Sequence, residues 1–276
     1  GGVGHCLCLG QAGPHRGARP AGRPTPGLAP VIIDAHAHLG VLGRFSATAS
    51  DLVRLADRAG IDKMLVSHCD AIFSDTRAGN AALATAMRTH PDRILGYAAF
   101  TSAYYGPAIL DEIDRCVFDH GMCGLKIYSH TGRSVAEPDM WPIVNHAAER
   151  GLPILAHATA SEIGILAREV PTATLLIAHL GEQPGANMWQ TLVMVRAHPN
   201  VVLDLTSSQI YAGMVENCVA VVGAERVVFG TDMPLLEPEV QIQKVMAARL
   251  DPATRLRILG GNAARLFGLA ATEPGP

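Results

Sequence analysis

The stretch Val31–Gly40, VIIDAHAHLG, decides the fold and points to the chemistry. Its run of apolar residues predicts a β-strand, in which successive side chains point to opposite faces. Asp34, His36 and His38 then share one face, which becomes polar toward the end of the strand. A buried strand is normally apolar on both faces. We therefore interpret the two imidazoles, which can reach one cation, as metal ligands. The opposite face carries Val31, Ile33, Ala35 and Ala37.

The composition narrows the class of protein. The 276 residues are 49% apolar and 17% charged, with a formal net charge of −3, which allows a substantial core. This charge does not favour nucleic-acid binding, and no apolar run approaches the roughly 20 residues of a membrane-spanning helix. The six cysteines form no CxxC pair and the N-terminal residues contain no secretory signal, so we expect a cytoplasmic protein.

The N-terminal residues differ from the rest of the chain. Residues 1–29 are rich in Gly, Pro, Arg and Ala and have no hydrophobic periodicity. Such a segment cannot bury enough apolar surface to offset the entropy lost on ordering. We therefore expect a disordered extension over 1–29, followed by one domain over 30–276.

From Val31 onward, short apolar runs alternate with helical patterns. The first predicted helix has Ser50 as its N-cap and ends at Gly60. Eight strands alternating with eight helices predict an α/β fold, the (β/α)₈ TIM barrel. A doubly wound open sheet is the alternative, but LGVLGRF is a poor phosphate-binding loop after the first strand. The predicted strands cover 31–40, 61–68, 93–100, 123–129, 152–158, 174–181, 201–209 and 226–232.

Polar side chains end several of these strands, and in such barrels the chemistry lies at the C-terminal ends of the strands. Nitrogen and oxygen donors without a thiolate suit zinc or another divalent transition metal. Arg133 follows the fourth strand, and we expect it to bind substrate together with His130, although a solvated surface arginine is the alternative reading. The strand-end residues are His36, His38, Lys126, His130, His157, His179 and Asp232.

Five motifs in this order resemble the amidohydrolase superfamily: DAHAHLG, LAHA, IAHLG, FGTDMP and LGGNAARLFGL. More narrowly, they are similar to its amidohydrolase-related branch, which includes metal-dependent decarboxylases and lactonases. The resemblance extends from Val31 to about Leu269. It implies a metal-dependent barrel enzyme.

The resemblance also implies roles for individual residues. It implies that His36, His38, His157 and Asp232 hold one divalent metal, which we expect to be Zn²⁺. His179 is then expected beside the metal or directly in the reaction. Lys126 has two open roles. In binuclear relatives a carbamylated lysine on the fourth strand bridges two metals, whereas in the amidohydrolase-related branch a lysine here faces the substrate as a cation, the role we favour.

We expect a hydrolase that opens an amide or lactone bond of a small molecule through a metal-activated water. Asp232 and His179 are placed to accept the proton, and Lys126 or His179 to stabilise the oxyanion. The alternative is a non-oxidative decarboxylase of a small aromatic or unsaturated carboxylic acid at the same site.

Two further classes are disfavoured. A phosphodiesterase-type nuclease would need another acidic ligand on a middle strand, where the chain has Lys126. A barrel that only binds is disfavoured because the strand-end histidines and Asp232 are all present. Barrels of this type often form homodimers, although no patch in the sequence indicates one.

Overall fold

A computed structural model describes residues 31–101, 106–129, 133–181 and 187–269. The N-terminal extension predicted over 1–29 lies outside the described residues. The strands are β1 (Ile33–Leu42), β2 (Phe45–Ala47), β3 (Lys63–His68), β4 (Ile94–Ala99), β5 (Gly124–Tyr128), β6 (Ile154–His157), β7 (Leu175–Ile177), β8 (Val201–Asp204) and β9 (Val227–Val228). The helices are α1 (Ala49–Ala59), α2 (Cys69–Phe73), α3 (Thr76–Thr89), α4 (Pro107–Phe118), α5 (Trp141–Glu149), α6 (Ala160–Glu169), α7 (Met188–Ala197), α8 (Met214–Val222), α9 (Pro238–Ala247), α10 (Pro252–Leu256) and α11 (Asn262–Leu266).

The strands form one curled sheet in the order β2-β1-β3-β4-β5-β6-β7-β8-β9. All neighbours are parallel except β2, which pairs antiparallel with the end of β1. Main-chain hydrogen bonds join β1 to the segment after β9, including Asp232 N to His36 O at 2.7 Å and His38 N to Met233 O at 2.8 Å. The two ends of the parallel sheet therefore meet. This closure confirms the predicted barrel and excludes the alternative fold, a doubly wound open sheet.

A β-bulge alters the face pattern predicted for the first strand. The pairing of β1 with β3 shifts register between Asp34 and Ala37, and a bulge re-aims the side chains that follow it. Ala35 packs in a small core formed mainly by strand residues such as Tyr97. Ala37 packs instead in the larger core, which also contains helix residues. The prediction that Ala35 and Ala37 share one face was therefore wrong, but His36 and His38 do converge.

Several predicted boundaries also differ. The N-cap of α1 is Thr48 rather than Ser50, because Thr48 and Asp51 form a reciprocal capping box. The predicted seventh strand, 201–209, ends at Asp204, since the Asp204 carboxylate accepts hydrogen bonds from Thr206 and turns the chain. The sequence prediction also missed β2 and the short α2. These turns bring polar side chains to one end of the barrel.

Candidate metal centre

His36 and His38, in the middle of β1, aim the same ring atom at one point. Their Nε2 atoms lie 3.2 Å apart. On the other side of each ring, Asp204 Oδ2 lies 2.8 Å from His36 Nδ1 and Ser67 Oγ lies 2.9 Å from His38 Nδ1. A partner on one ring nitrogen orients the ring and leaves the other nitrogen for a metal. Both imidazoles are thus held with Nε2 inward.

Asp232 completes this group from the opposite end of the barrel sequence. Its Oδ1 lies 3.1 Å from His38 Nε2 and 3.6 Å from His36 Nε2. Asp232 has a left-handed backbone with φ 60°, a conformation that costs free energy in a residue other than glycine. The neighbouring Thr231 donates its N–H to Asp34 Oδ1 at 2.9 Å, and the same oxygen accepts the N–H of His36 at 2.9 Å. Asp34 therefore ties β1 to the segment after β9 that carries Asp232.

We call the three converging atoms, His36 Nε2, His38 Nε2 and Asp232 Oδ1, the donor triad. Metal–ligand distances for nitrogen and carboxylate oxygen are about 2.0–2.2 Å, so tetrahedral ligands lie about 3.4 Å apart. The separations in the donor triad, 3.1 to 3.6 Å, match this spacing. Imidazole nitrogen and carboxylate oxygen are also suitable donors for a divalent ion. The residues present therefore fit a divalent metal.

Burial sets the charges of the donor triad. Burial lowers the pKa of His36 well below its usual value, and nearby positive groups, first among them Lys126, act in the same direction. Burial also lowers the pKa of His38, although Asp232 opposes this. For Asp232, burial raises the pKa, but the hydrogen bond to His38 and nearby positive charge, including that of Lys126, outweigh it and the net shift is downward. Neutral imidazoles beside an ionised carboxylate are the protonation states that bind metals.

Lys126 adds a cation beside the donor triad. Its side chain, on β5, is completely buried, and Nζ lies 3.0 Å from His36 Nε2. Burial lowers the pKa of Lys126 to about 8, while the carboxylates of Asp232 and Asp204 oppose the shift. Lys126 therefore faces the site, as either predicted role requires. Its carbamylation stays a prediction.

His179 lies at a distorted point after β7. His179 and Leu180 have φ values of 57° and 56°, so the chain leaves the predicted strand here and turns left-handed. The His179 ring centroid lies 4.7 Å from that of His36. Burial lowers the pKa of His179 to about 4, which makes it a neutral imidazole near pH 7.

His157, at the end of β6, lies one ring further from the donor triad. Its Nδ1 is 3.2 Å from His179 Nε2, and its ring stacks on Tyr128 at 4.2 Å between centroids. Among the described residues, two groups have metal-donor atoms within 4.8 Å of one another: His36, His38 and Asp232, and His36, His179 and Asp204. Because His157 belongs to neither, its role as a ligand stays a prediction.

The two predicted substrate residues fall between β5 and α5 in the sequence. His130 falls outside the described residues. Arg133 forms salt bridges with Glu137, at 2.9 Å, and with Asp139. Glu162 accepts hydrogen bonds from Ser129 and Ser134, which also fall between β5 and α5. Substrate binding by His130 and Arg133 therefore stays a prediction.

Sequence reasoning missed Ser67 and Asp204, the two partners that orient the histidine rings. Each is a polar residue at or near the C-terminal end of an apolar strand, which indicates its end of the barrel but not its pairing with a histidine ring. Asp204 carries the stronger signal, since it is a carboxylate inside the apolar run VVLDL, and a buried carboxylate needs a specific partner.

Comparisons with known proteins agree with this geometry. The sequence matches the protein family described as amidohydrolase over residues 33–269. No curated protein sequence matches the chain significantly. In the described part of the chain, every helix is too short or too polar to cross a membrane.

Three similar solved structures cover most of this chain. The 2,6-dihydroxybenzoate decarboxylase from Rhizobium has a TM-score of 0.73 at 19% identity, over 87% of this chain and 99% of that one. A dihydroxybenzoic acid decarboxylase from a Polaromonas species, with bound manganese and an inhibitor, has a TM-score of 0.73 at 18% identity, over 88% and 98% of the two chains. The 4-oxalomesaconate hydratase from Rhodopseudomonas palustris has a TM-score of 0.66 at 15% identity, over 87% and 96%.

At these identities the likeness concerns the fold. The family match covers most of the chain and includes both ends of the barrel, with the strands that carry the donor triad. It agrees with the resemblance drawn from the five sequence motifs. The chain therefore belongs to the amidohydrolase family.

Proposed function

We propose that this protein is a metal-dependent, non-oxidative decarboxylase of a small aromatic or unsaturated carboxylic acid. The observation that carries this proposal is the completely buried amine of Lys126, 3.0 Å from the imidazole that anchors the donor triad. A second cation beside a metal site favours a substrate that carries a carboxylate over a neutral amide or lactone. The decarboxylases among the similar structures act on substrates of this kind.

His36, His38 and Asp232 would hold the ion, with His157 as the proposed fourth ligand. When bound, the ion supplies positive charge that polarises oxygen atoms of the substrate. Zn²⁺ suits this nitrogen and oxygen donor set, and Mn²⁺ is the competing ion because a similar decarboxylase contains it.

In decarboxylation, the bond between the carboxylate carbon and the substrate carbon breaks, CO₂ leaves, and the electron pair remains on that carbon until a proton replaces CO₂. We assign Lys126 Nζ to orient the carboxylate. Asp232 and His179 line the same space and are assigned to hold and deliver the proton. Arg133 and His130 are proposed to contact the part of the substrate that extends from the barrel.

Hydrolysis of an amide or lactone is the second candidate. It is supported by the match to the amidohydrolase family. In this reaction the proton moves in the opposite direction, because Asp232 or His179 accepts a proton from water. Under either reaction the partner is a small molecule. The homodimer stays a prediction.

The test is a substrate panel with the purified protein loaded with Zn²⁺ or Mn²⁺. Hydroxybenzoates and unsaturated acids are assayed for CO₂ release, and lactones and amides for acid release. We expect CO₂ release from at least one carboxylic acid, with that activity about 10–100-fold lower in Lys126→Met. Ring opening of lactones without CO₂ release would establish the hydrolase instead.

The matched control is Lys63→Met, which removes a lysine on a different strand. Lys63 Nζ donates to the main-chain oxygen of Asp92 at 2.9 Å, far from the donor triad in the fold. We expect this variant to keep the activity of the parent protein. Equal losses in both lysine variants would contradict the role assigned to Lys126.

A further inference from the structure

Asp204, at the end of β8, lies directly behind His36. Both side chains are completely buried, and Asp204 Oδ2 is 2.8 Å from His36 Nδ1. The other carboxylate oxygen, Oδ1, accepts the N–H of Thr206 at 2.9 Å and its hydroxyl at 2.7 Å. Both oxygens of this buried carboxylate are therefore committed, one to the main chain of its own loop and one to the histidine.

These contacts determine which nitrogen of His36 carries the proton. The main-chain N–H of Thr206 can only donate, so Oδ1 must accept. When Oδ2 accepts as well, at 2.8 Å from the ring, the proton of His36 lies on Nδ1. On the other side of the ring, Lys126 Nζ lies 3.0 Å from Nε2, where an amine donor requires a lone pair. The two contacts agree on one tautomer.

The packing around Asp204 preserves this arrangement. Gly230 lies beside the pair, and a Cβ atom there would come within 2.6 Å of Asp204 Oδ1 and 2.9 Å of His36 Cβ. Any larger residue at position 230 would displace the carboxylate, the ring or the hydroxyl of Thr206 that bonds the carboxylate. The glycine therefore leaves the space in which Asp204 meets His36.

We infer that Asp204 is a positioning residue that locks His36 in the tautomer with its proton on Nδ1 and thereby presents the Nε2 lone pair to the metal. The inference rests on the proposed metal site and assigns a role to a residue outside the donor triad. Partners of this kind, when removed, typically weaken metal binding by about 10–100-fold.

The test is Asp204→Asn, which keeps the shape of the side chain. The asparagine oxygen must stay toward Thr206, because the main-chain N–H of Thr206 cannot accept. The amide NH₂ then faces His36 Nδ1 and requires an acceptor there. His36 must move its proton to Nε2, the atom that faces the metal.

Two readouts report this change. Nitrogen-15 NMR of the metal-free, histidine-labelled protein is expected to show His36 with its proton on Nδ1 in the parent protein and on Nε2 in Asp204→Asn. Titration with Zn²⁺ and with Mn²⁺ alone is expected to show a roughly 10–100-fold higher Kd for the variant. An unchanged tautomer or an unchanged Kd in Asp204→Asn overturns the inference.

Two variants serve as controls. Thr206→Val removes the hydroxyl but leaves the main-chain N–H, so the tautomer of His36 should stay the same. Glu112→Gln replaces a buried carboxylate on α4 by an amide and should change neither the His36 signals nor the Kd. If Asp204→Asn does not fold, the parent protein still decides: a proton on Nε2 of its His36 overturns the inference.

The same experiments separate this inference from the proposed function. If the parent protein binds neither ion, the metal site and the proposed decarboxylase both fall, and with them the purpose assigned to the tautomer. If the parent protein binds metal and releases CO₂ while Asp204→Asn binds equally well, only the role of Asp204 falls.

Discussion

Two buried polar clusters in this protein have opposite balances of hydrogen-bond donors and acceptors. In the helix-side network, which comprises Asn80, Glu112 and Arg115, each side chain meets a complementary partner. Asn80 Nδ2 donates to Glu112 Oε1 at 2.9 Å, and Arg115 Nε donates to Glu112 Oε2 at 2.8 Å. Asn80 also bonds both main-chain groups of Ala99. This network therefore connects α3, α4 and β4.

The donor triad has the reverse balance. With the proton of His36 on Nδ1, the only hydrogen available among the three atoms is the one that His38 can place on Nε2. Lys126 supplies one further donor, to His36. A buried cluster with too few donors is costly unless a cation binds it. A buried cluster with matched donors and acceptors stabilises the fold, whereas a buried cluster with a surplus of acceptors indicates a cation site.

The largest expected effect is the loss of a member of the donor triad. His38→Ala should lower metal affinity by more than about 100-fold, because removal of an outer partner alone costs about 10–100-fold. Metal content per chain, measured by elemental analysis, checks this. Removal of metal from the parent protein by a chelator should abolish activity in the same way.

His146→Ala is the matched control for that experiment. His146, on α5, pairs with Asp114 at 2.8 Å and lies outside the donor triad. We expect this variant to bind metal like the parent protein. Equal metal loss in both variants would show that the triad has no special role.

A smaller effect is expected for the cation beside the triad. Lys126→Met should lower kcat/KM for a carboxylate substrate by about 10–100-fold, since a hydrogen bond to a charged group contributes about 1.5–3 kcal/mol. Metal content should stay near that of the parent protein. A variant that loses its metal would instead assign Lys126 to the metal, as a bridging lysine would be.

In the helix-side network the expected effect is on stability. Glu112→Gln keeps an oxygen for one neighbour but turns an NH₂ group toward the other, so a buried donor loses its acceptor. We expect the free energy of unfolding to fall by about 1–3 kcal/mol, with metal affinity unchanged. Denaturant unfolding measures this, and an unchanged midpoint would contradict the structural role.

The smallest effect is the pH dependence of that stabilisation. Burial raises the pKa of Glu112, but the hydrogen bonds from Arg115 and Asn80 outweigh it and hold the pKa below its ordinary 4.5. A lowered pKa stabilises the folded state above pH 4.5, and this contribution is lost as the pH falls through the folded-state pKa. The stability difference between the parent protein and Glu112→Gln should therefore narrow in acid. A constant difference would contradict it.

The sequence predicted the parts of the site that follow from strand periodicity. Five side chains could be placed at one end of the barrel, because each ends or follows an apolar run long enough to form a barrel strand. They are His36, His38, Lys126, His179 and Asp232. The barrel itself followed from the alternation of strands and helices. The structure confirms the barrel and brings these five side chains together.

Other features depend on three-dimensional register, which local patterns do not contain. The bulge in β1 comes from its pairing with β3, and no residue between Asp34 and Ala37 predicts it from the sequence. The left-handed turn at His179 and Leu180 is equally hidden, because positive φ is uncommon in residues other than glycine. Asp204 meets His36 only after the barrel has closed. For this reason, the residues that orient the histidine rings are harder to predict than the members of the donor triad.

The donor triad joins residues from the two extremes of the barrel sequence. His36 and His38 leave the ribosome early, whereas Asp232 is among the last residues of the barrel to be made. At a synthesis rate of roughly 5–20 residues per second, about 10–40 s separate their appearance. A nascent chain that has emerged only as far as β8 still lacks the third member of the triad, so the proposed metal site would form only after translation of almost the whole barrel.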